Sequence, residues 1–140
     1  MRPRTHFGHL TIYRLSIYSA GVPRASSVET QSFLPLPQAQ FHVLVALTAG
    51  DRHGYAIMQA VEQESAGAVR MGPATLYGTL AKLVKLTLVE ESDRRPATDD
   101  DERRRYYRLT KLGAAVCGAE ANRLSSLAEV ARSNLRPRLA

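Results

Sequence analysis

Three sets of side chains in this 140-residue chain are of types that could do chemistry. The first is Ala74, Thr75, Tyr77, Gly78, Thr79 and Lys82, followed by Lys85. Short hydrogen-bonding groups and cations around a residue without a side chain make a face suited to a nucleic-acid backbone and its base edges. The second is a set of arginines, Arg94, Arg95, Arg103, Arg104 and Arg108, able to meet phosphates or a minor groove. The third could hold a nucleophile and its base: Cys117, Ser125, Ser126 and His53. Nothing fixes an orienting acid or an oxyanion site beside them, so no catalytic residue is assigned and the chain is not read as an enzyme. The acids Asp99, Asp100, Asp101 and Glu102 are consecutive and lack the ligand spacing of a calcium loop, so no metal site is assigned. No glycine-rich phosphate loop occurs, and no cofactor is expected.

These residues need elements to position them. Leu76, Leu80, Leu83 and Val84 recur at helical spacing and predict a helix over residues 73–85 with a buried stripe, Pro73 suiting its first turn. The opposite side carries the first set, and this helix is read as entering a DNA groove. Before it, residues 38–48 predict a buried helix and residues 53–64 a second. That second helix turns Tyr55, Ile57, Met58 and Val61 toward the core. Val69, Arg70 and Met71 are expected to pair as a small edge strand. After the groove helix, residues 88–92 and 103–110 read as two strands of a wing, and the polar residues 93–102 as its loop. Alternation sends Arg105, Tyr107 and Leu109 to one face and Arg104, Tyr106 and Arg108 to the other, with Tyr107 the core candidate. The acids at 99–102 form a solvated tip. Thr110 suits an N-cap, and residues 111–135 predict one last helix with a stripe of Leu112, Val116, Leu124, Leu127, Ala131 and Leu135. A helix this long exceeds what the small core can cover, and its surplus apolar face is read as the interface of a homodimer. Pro137 is expected to end it.

The fold class expected is mainly α with a small β-hairpin wing: a winged helix-turn-helix followed by a long C-terminal dimerisation helix. The boundaries are an extension at 1–34, a DNA-binding domain at 35–110, the dimerisation helix at 111–135 and a tail at 136–140. Residues 1–34 hold four arginines with no acid before Glu29, and no sustained periodicity. They read as a disordered extension or mistranslated upstream sequence, with an organelle-type transit peptide as the alternative. With 44% hydrophobic residues a core can be buried, and a net charge of +6 favours polyanionic partners. A single cysteine excludes an internal disulfide and fits a reducing, cytoplasmic setting. The apolar run at 41–47 is far short of the roughly 20 residues that span a bilayer, so no membrane is expected as a partner.

The segments FHVLVALTAGDRHGYAIMQAVEQE, MGPATLYGTLAKL and DDERRRYYRLTKLG, in that order, closely resemble the PadR family of winged-helix transcriptional regulators. The resemblance covers residues 34–135. It implies a homodimer on double-stranded DNA, a repressor at a palindromic operator, and release by a small-molecule effector. The apparent subfamily is the short one, with a single C-terminal helix. Tyr55 matches the family tyrosine of the second helix, Thr75, Leu76 and Tyr77 its TLY motif, and Tyr106 and Tyr107 the wing tyrosines. Thr87 stands where the family commonly has Gly. A helix end there often needs the left-handed conformation, which costs a non-Gly residue on the order of 1 kcal/mol, so the helix is expected to end differently in this chain and to leave the angle of the wing against it open. Gly78 itself weakens a helix interior by roughly 1 kcal/mol. It reads either as a close-approach site for DNA or as merely tolerated. A winged helix used for protein recognition instead of DNA is the rival function.

Overall fold

The computed structural model describes residues 27–93 and 103–139. The chain runs α1 (Ser27–Gln31), α2 (Gln38–Leu47), β1 (Arg52–His53), α3 (Gly54–Glu64), α4 (Pro73–Lys85), β2 (Val89–Ser92), β3 (Tyr106–Leu109) and α5 (Lys111–Leu139). It is a mainly helical winged helix: three helices pack together, a small antiparallel sheet lies beside them, and one long helix follows.

The core is made by the apolar stripes of these helices. Val43, Leu44, Ile57, Val61, Leu76, Leu80, Leu83, Leu88, Val89, Tyr107 and Val116 form one buried cluster. Leu76, Leu80 and Leu83 sit inward as their 4-and-3 spacing requires, whereas Val84 lies at the margin of the stripe and is 40% exposed. In α3 the inward set is Gly54, Ile57, Ala60 and Val61. Tyr55, expected in the core, is 58% exposed. At 100° per residue it lies about 160° around the helix from Ile57.

The sheet has the order β1-β3-β2. Arg52 and His53 pair with Tyr107 and Tyr106, so the third strand is the two-residue β1 and not residues 69–71. Val69 is held instead by its amide, which donates to the Ser65 hydroxyl at 3.0 Å. Because β3 is central, both its hydrogen-bonding edges are paired, while Arg108 on it stays exposed. Tyr107 enters the core as expected, and Tyr106, expected outside, is also buried. Its ring meets the His53 imidazole edge-on at 5.4 Å. On the other edge Glu90 lies opposite Arg108 and Glu91 opposite Tyr107.

Two ends of the chain differ from expectation. Residues 27–34 belong to the fold: α1 packs on α5, Thr30 is buried, and Phe33 and Leu34 lie against the core. Five residues are too few for a periodic signature, which hides this helix in the sequence. At the other end α5 continues as far as Leu139 and accommodates Pro137 in its last turn. A proline there loses one ladder hydrogen bond with almost no helix left to disrupt. At about 1.5 Å per residue, the 29 residues of α5 extend roughly 43 Å.

Candidate nucleic-acid interface

Helix α4 begins at Gly72, with Pro73 in its first turn and no side-chain cap. Its first amides are therefore not consumed by a capping side chain, and an oxyanion brought to this end would meet the positive end of the helix dipole. Ala74, Thr75, Tyr77, Gly78 and Lys82 are exposed and Thr79 is half-buried. The Thr79 hydroxyl donates to the Thr75 carbonyl at 2.7 Å, which orients its methyl group and leaves an oxygen lone pair for a donor. A Cβ at Gly78 would meet nothing within 4 Å. No packing among the described residues requires that glycine.

Tyr77 is 50% exposed and lies across the start of α3. A Cβ at the buried Gly54 would fall 2.5 Å from the Tyr77 hydroxyl oxygen, so glycine at 54 makes room for this ring. Beside Gly54, His53 caps α3: its Nδ1 accepts from the Ala56 amide at 3.2 Å. This is the capping role its position at a helix start favours.

A cleft of about 270 Å³ opens here, lined by His53, Gly54, Tyr55, Tyr77, Tyr107 and three consecutive arginines, Arg103, Arg104 and Arg105. Aromatic hydroxyls beside guanidinium groups suit a phosphodiester: tyrosine donates one hydrogen bond, and arginine offers a planar fork of donors. Burial pushes the Tyr107 phenol up, with Glu91 adding to the rise, so it stays a neutral donor at physiological pH.

The wing's own carboxylates temper its cations. Arg108 is ion-paired with Glu90 at 2.9 Å, and Arg105 with Glu91 at 3.4 Å. Arg108, expected to be exposed for DNA, therefore has a partner within the wing, and the Glu90 carboxylate raises its pKa. Arg103 and Arg104 line the cleft as the sequence suggested. Arg94 and Arg95 lie outside the described residues. Arg105 and the outward Tyr55 are the cleft residues that sequence reasoning missed. The signal for Arg105 was its place in an unbroken run of three arginines, which the expected strand alternation overrode; the strand in fact starts only at Tyr106.

The distal half of α5 carries exposed apolar side chains, Leu124, Leu127, Val130 and Leu135. Ala131 is exposed among them. Val116, placed at the dimer seam from sequence, is fully buried by the chain's own core, and Leu112 packs half-buried against the same cluster. Cys117 is buried, and desolvation pushes its thiol up to about 11. Among the described residues no group of His, Cys, Asp and Glu could hold a metal ion, and no helix is long and apolar enough to cross a membrane.

Residues 43–119 match the transcriptional regulator PadR-like family. An uncharacterized 37.1 kDa protein in transposon Tn4556 of Streptomyces fradiae is 42% identical over 89 residues, 64% of this chain and 24% of that protein. Uncharacterized protein X of Lysinibacillus sphaericus is 32% identical over 75 residues, 52% of this chain and 65% of that protein. The chain thus spans less than two thirds of the length of either relative. Among solved structures, H. salinarum RosR is similar at 29% identity and a TM-score of 0.53, covering 67% of this chain and 79% of that one. A PadR family transcription regulator from Clostridium difficile shares the fold at 18% identity and a TM-score of 0.59, covering 71% of this chain and 99% of that one.

Proposed function

The chain belongs to the PadR-like family of transcriptional regulators, and we propose that it binds DNA and acts as a homodimeric repressor at a palindromic operator. The observation that carries this reading is one continuous set of donors. The exposed Thr75, Gly78 and Lys82 of α4 face outward with the half-buried Thr79 beside them, and the tyrosine and arginine cleft borders the same helix through Tyr77. In this reading α4 enters the major groove, with Ala74, Thr75, Thr79 and Lys82 at base edges or neighbouring phosphates. A backbone phosphate sits in the cleft between Tyr55, Tyr77, Arg103 and Arg104, with Arg105, paired to Glu91, at its rim. Gly78 allows the groove to come close. Arg108 contributes to the field of the wing and not as a free contact, given its pairing with Glu90.

One winged helix offers few contacts, and specific affinity comes from joining two. The exposed Leu124, Leu127, Val130 and Leu135 supply an apolar face for a second copy, which a two-fold axis would place against the same residues. A small-molecule effector that releases the dimer from DNA completes the scheme implied by the family. A gel-shift titration with the region upstream of the protein's own gene, at several salt concentrations, tests it. Binding at least 10³-fold tighter than to scrambled DNA supports the reading. Equal, salt-sensitive binding to both would sink it and leave protein recognition as the use of this surface.

A further inference from the structure

One junction ties the groove helix to the dimer helix. Helix α4 ends in a Schellman turn: the Thr87 amide donates to the Val84 carbonyl at 3.0 Å and the Leu88 amide to the Leu83 carbonyl at 2.9 Å. Thr87 has φ +60°, the left-handed conformation such a turn requires. Its side chain is anchored locally, the hydroxyl donating to the Leu86 carbonyl at 2.6 Å. The left-handed turn presents the Thr87 carbonyl to Thr110, whose hydroxyl donates to it at 2.6 Å. The same Thr110 oxygen accepts from the Gly113 amide at 2.9 Å and so caps α5. The Thr110 amide donates to the Leu88 carbonyl at 3.1 Å. Against that carbonyl oxygen lies Gly113, where any Cβ would overlap it.

Thr110 is also the one residue between β3 and α5. The wing, the end of the groove helix and the start of the dimer helix therefore meet at a single side chain. Its one hydroxyl proton and its cap acceptor are both used within the chain, so it has no donor left for DNA.

We propose that Thr110 is a positioning residue for DNA recognition: its hydroxyl, bonded to the Thr87 carbonyl, locks the angle between α4 and α5 and thereby sets which half-site spacing the dimer accepts. The inference rests on the proposed reading of a dimer spanning two half-sites. Two groove helices held by a rigid frame fit half-sites about one helical turn apart, and each added base pair shifts a half-site by about 3.4 Å and rotates it about the duplex. A locked frame rejects such a shift. A frame that can swivel at the junction tolerates it.

The cap and the lock are separable. Thr110→Asp keeps an acceptor for the Gly113 amide, since aspartate is among the best N-cap residues, but it has no proton for the Thr87 carbonyl. Thr110→Ser keeps both bonds. Thr110→Val removes both and serves as a second variant should the aspartate perturb folding through its charge. The probe is the duplex that wild type selects from a random pool, together with versions whose centre is lengthened or shortened by one and two base pairs and a duplex with a single half-site. The expected result is that wild type and Thr110→Ser lose on the order of tenfold affinity or more for one base pair of altered spacing. Thr110→Asp and Thr110→Val should lose less than about threefold, while sedimenting as dimers and binding the single half-site as wild type does. Spacing selectivity in Thr110→Asp equal to that of wild type overturns the proposal, as does a relaxed Thr110→Ser. A wild type without any spacing preference overturns it too, but through failure of the two-half-site reading, and the wild-type curves alone reveal that.

Discussion

The backbone amide of Leu36 donates to the carboxylate of Glu120 at 2.6 Å, linking positions 84 residues apart. Glu120 is 1% exposed, and its other oxygen accepts from the Arg123 guanidinium. A buried carboxylate thus holds the segment entering α2 against α5, beside the packing of α1 on the same helix. Glu120→Ala would leave the Leu36 amide buried without its acceptor and is expected to destabilise the fold by about 2–3 kcal/mol, read from urea unfolding. The hydrogen bond from Arg123 and that from Leu36 together hold the Glu120 carboxyl below its ordinary range against the opposing effect of burial. A lowered folded-state pKa gives stability that is complete above the unfolded-state pKa of about 4.3 and lost as pH falls through the folded value. The stability gap between wild type and Glu120→Gln should therefore be flat near neutrality and close only in acid. A gap that widened in acid would contradict the assignment.

Position 120 also illustrates what a sequence hides. It continues the spacing of Leu112 and Val116 by another four residues, so an acid on a buried stripe was visible, but its partner lies in a segment with no periodicity. The groove helix was legible because thirteen residues carry a strong 3.6-residue period, and Pro73 marks its start. Thr110 as a cap was legible from local chemistry. At Thr87 the expectation of a different helix end fails, because threonine takes the left-handed conformation there, at φ +60°, in place of the usual glycine. The two-residue β1 was not, since pairing with β3 is a tertiary event that no local pattern encodes. Its presence is what covers Tyr106. Tyr55 was misplaced because aromatic character outweighed phase, when Gly54, Ile57, Ala60 and Val61 already complete the inward face.

The two helical glycines Gly113 and Gly78 should respond in opposite ways to alanine. A Cβ at Gly113 would overlap the Leu88 carbonyl oxygen, and backbone cannot move aside as a flexible side chain can. Gly113→Ala is expected to cost about 3 kcal/mol or more, seen as a lowered thermal midpoint. Gly78 meets open space on a helix, so Gly78→Ala should raise stability by roughly 0.5–1 kcal/mol. If the DNA groove closes on position 78, that more stable variant will bind its operator more weakly. Undiminished binding would assign Gly78 no role at the interface.

Cys117 is buried in the core cluster, and desolvation pushes its thiol up to about 11. At pH 8 roughly one thiol in a thousand is then ionised, and burial leaves the side chain little access to reagent. Alkylation by iodoacetamide should be slow in the folded protein and rapid in denaturant, with a native rate that follows unfolding. Rapid labelling of the native state would revive a redox role for this thiol.

Lys82 stands exposed in the last turn of α4, on the face opposite Leu76, Leu80 and Leu83. Lys82→Ala should leave the dimer intact and weaken operator binding. If the ammonium contacts phosphate, the slope of log affinity against log salt falls by about 1 for each half-site. If it reads a base edge, the loss is concentrated in the specific site at about 1–3 kcal/mol. Unchanged affinity and slope would remove α4 from the groove.

Leu127 tests the second copy. Its side chain is 57% exposed, midway along a helix whose proximal residues Val116 and Cys117 are already buried by the chain's own core. Roughly 43 Å of helix exceeds what so small a core covers, and among the described residues Leu124, Leu127, Val130 and Leu135 keep about a third to a half or more of their surface exposed. Leu127→Arg puts a cation at the centre of that face, where a two-fold axis would bring two such charges together. The expected outcome is a monomer by sedimentation with an unchanged helical spectrum, because Leu127 lies outside the core cluster of the described residues. Operator affinity should fall with the dimer, while binding to a single half-site persists at its weak intrinsic level. A variant that still sediments as a dimer would move the seam elsewhere and would leave the exposed leucines of α5 to a different partner.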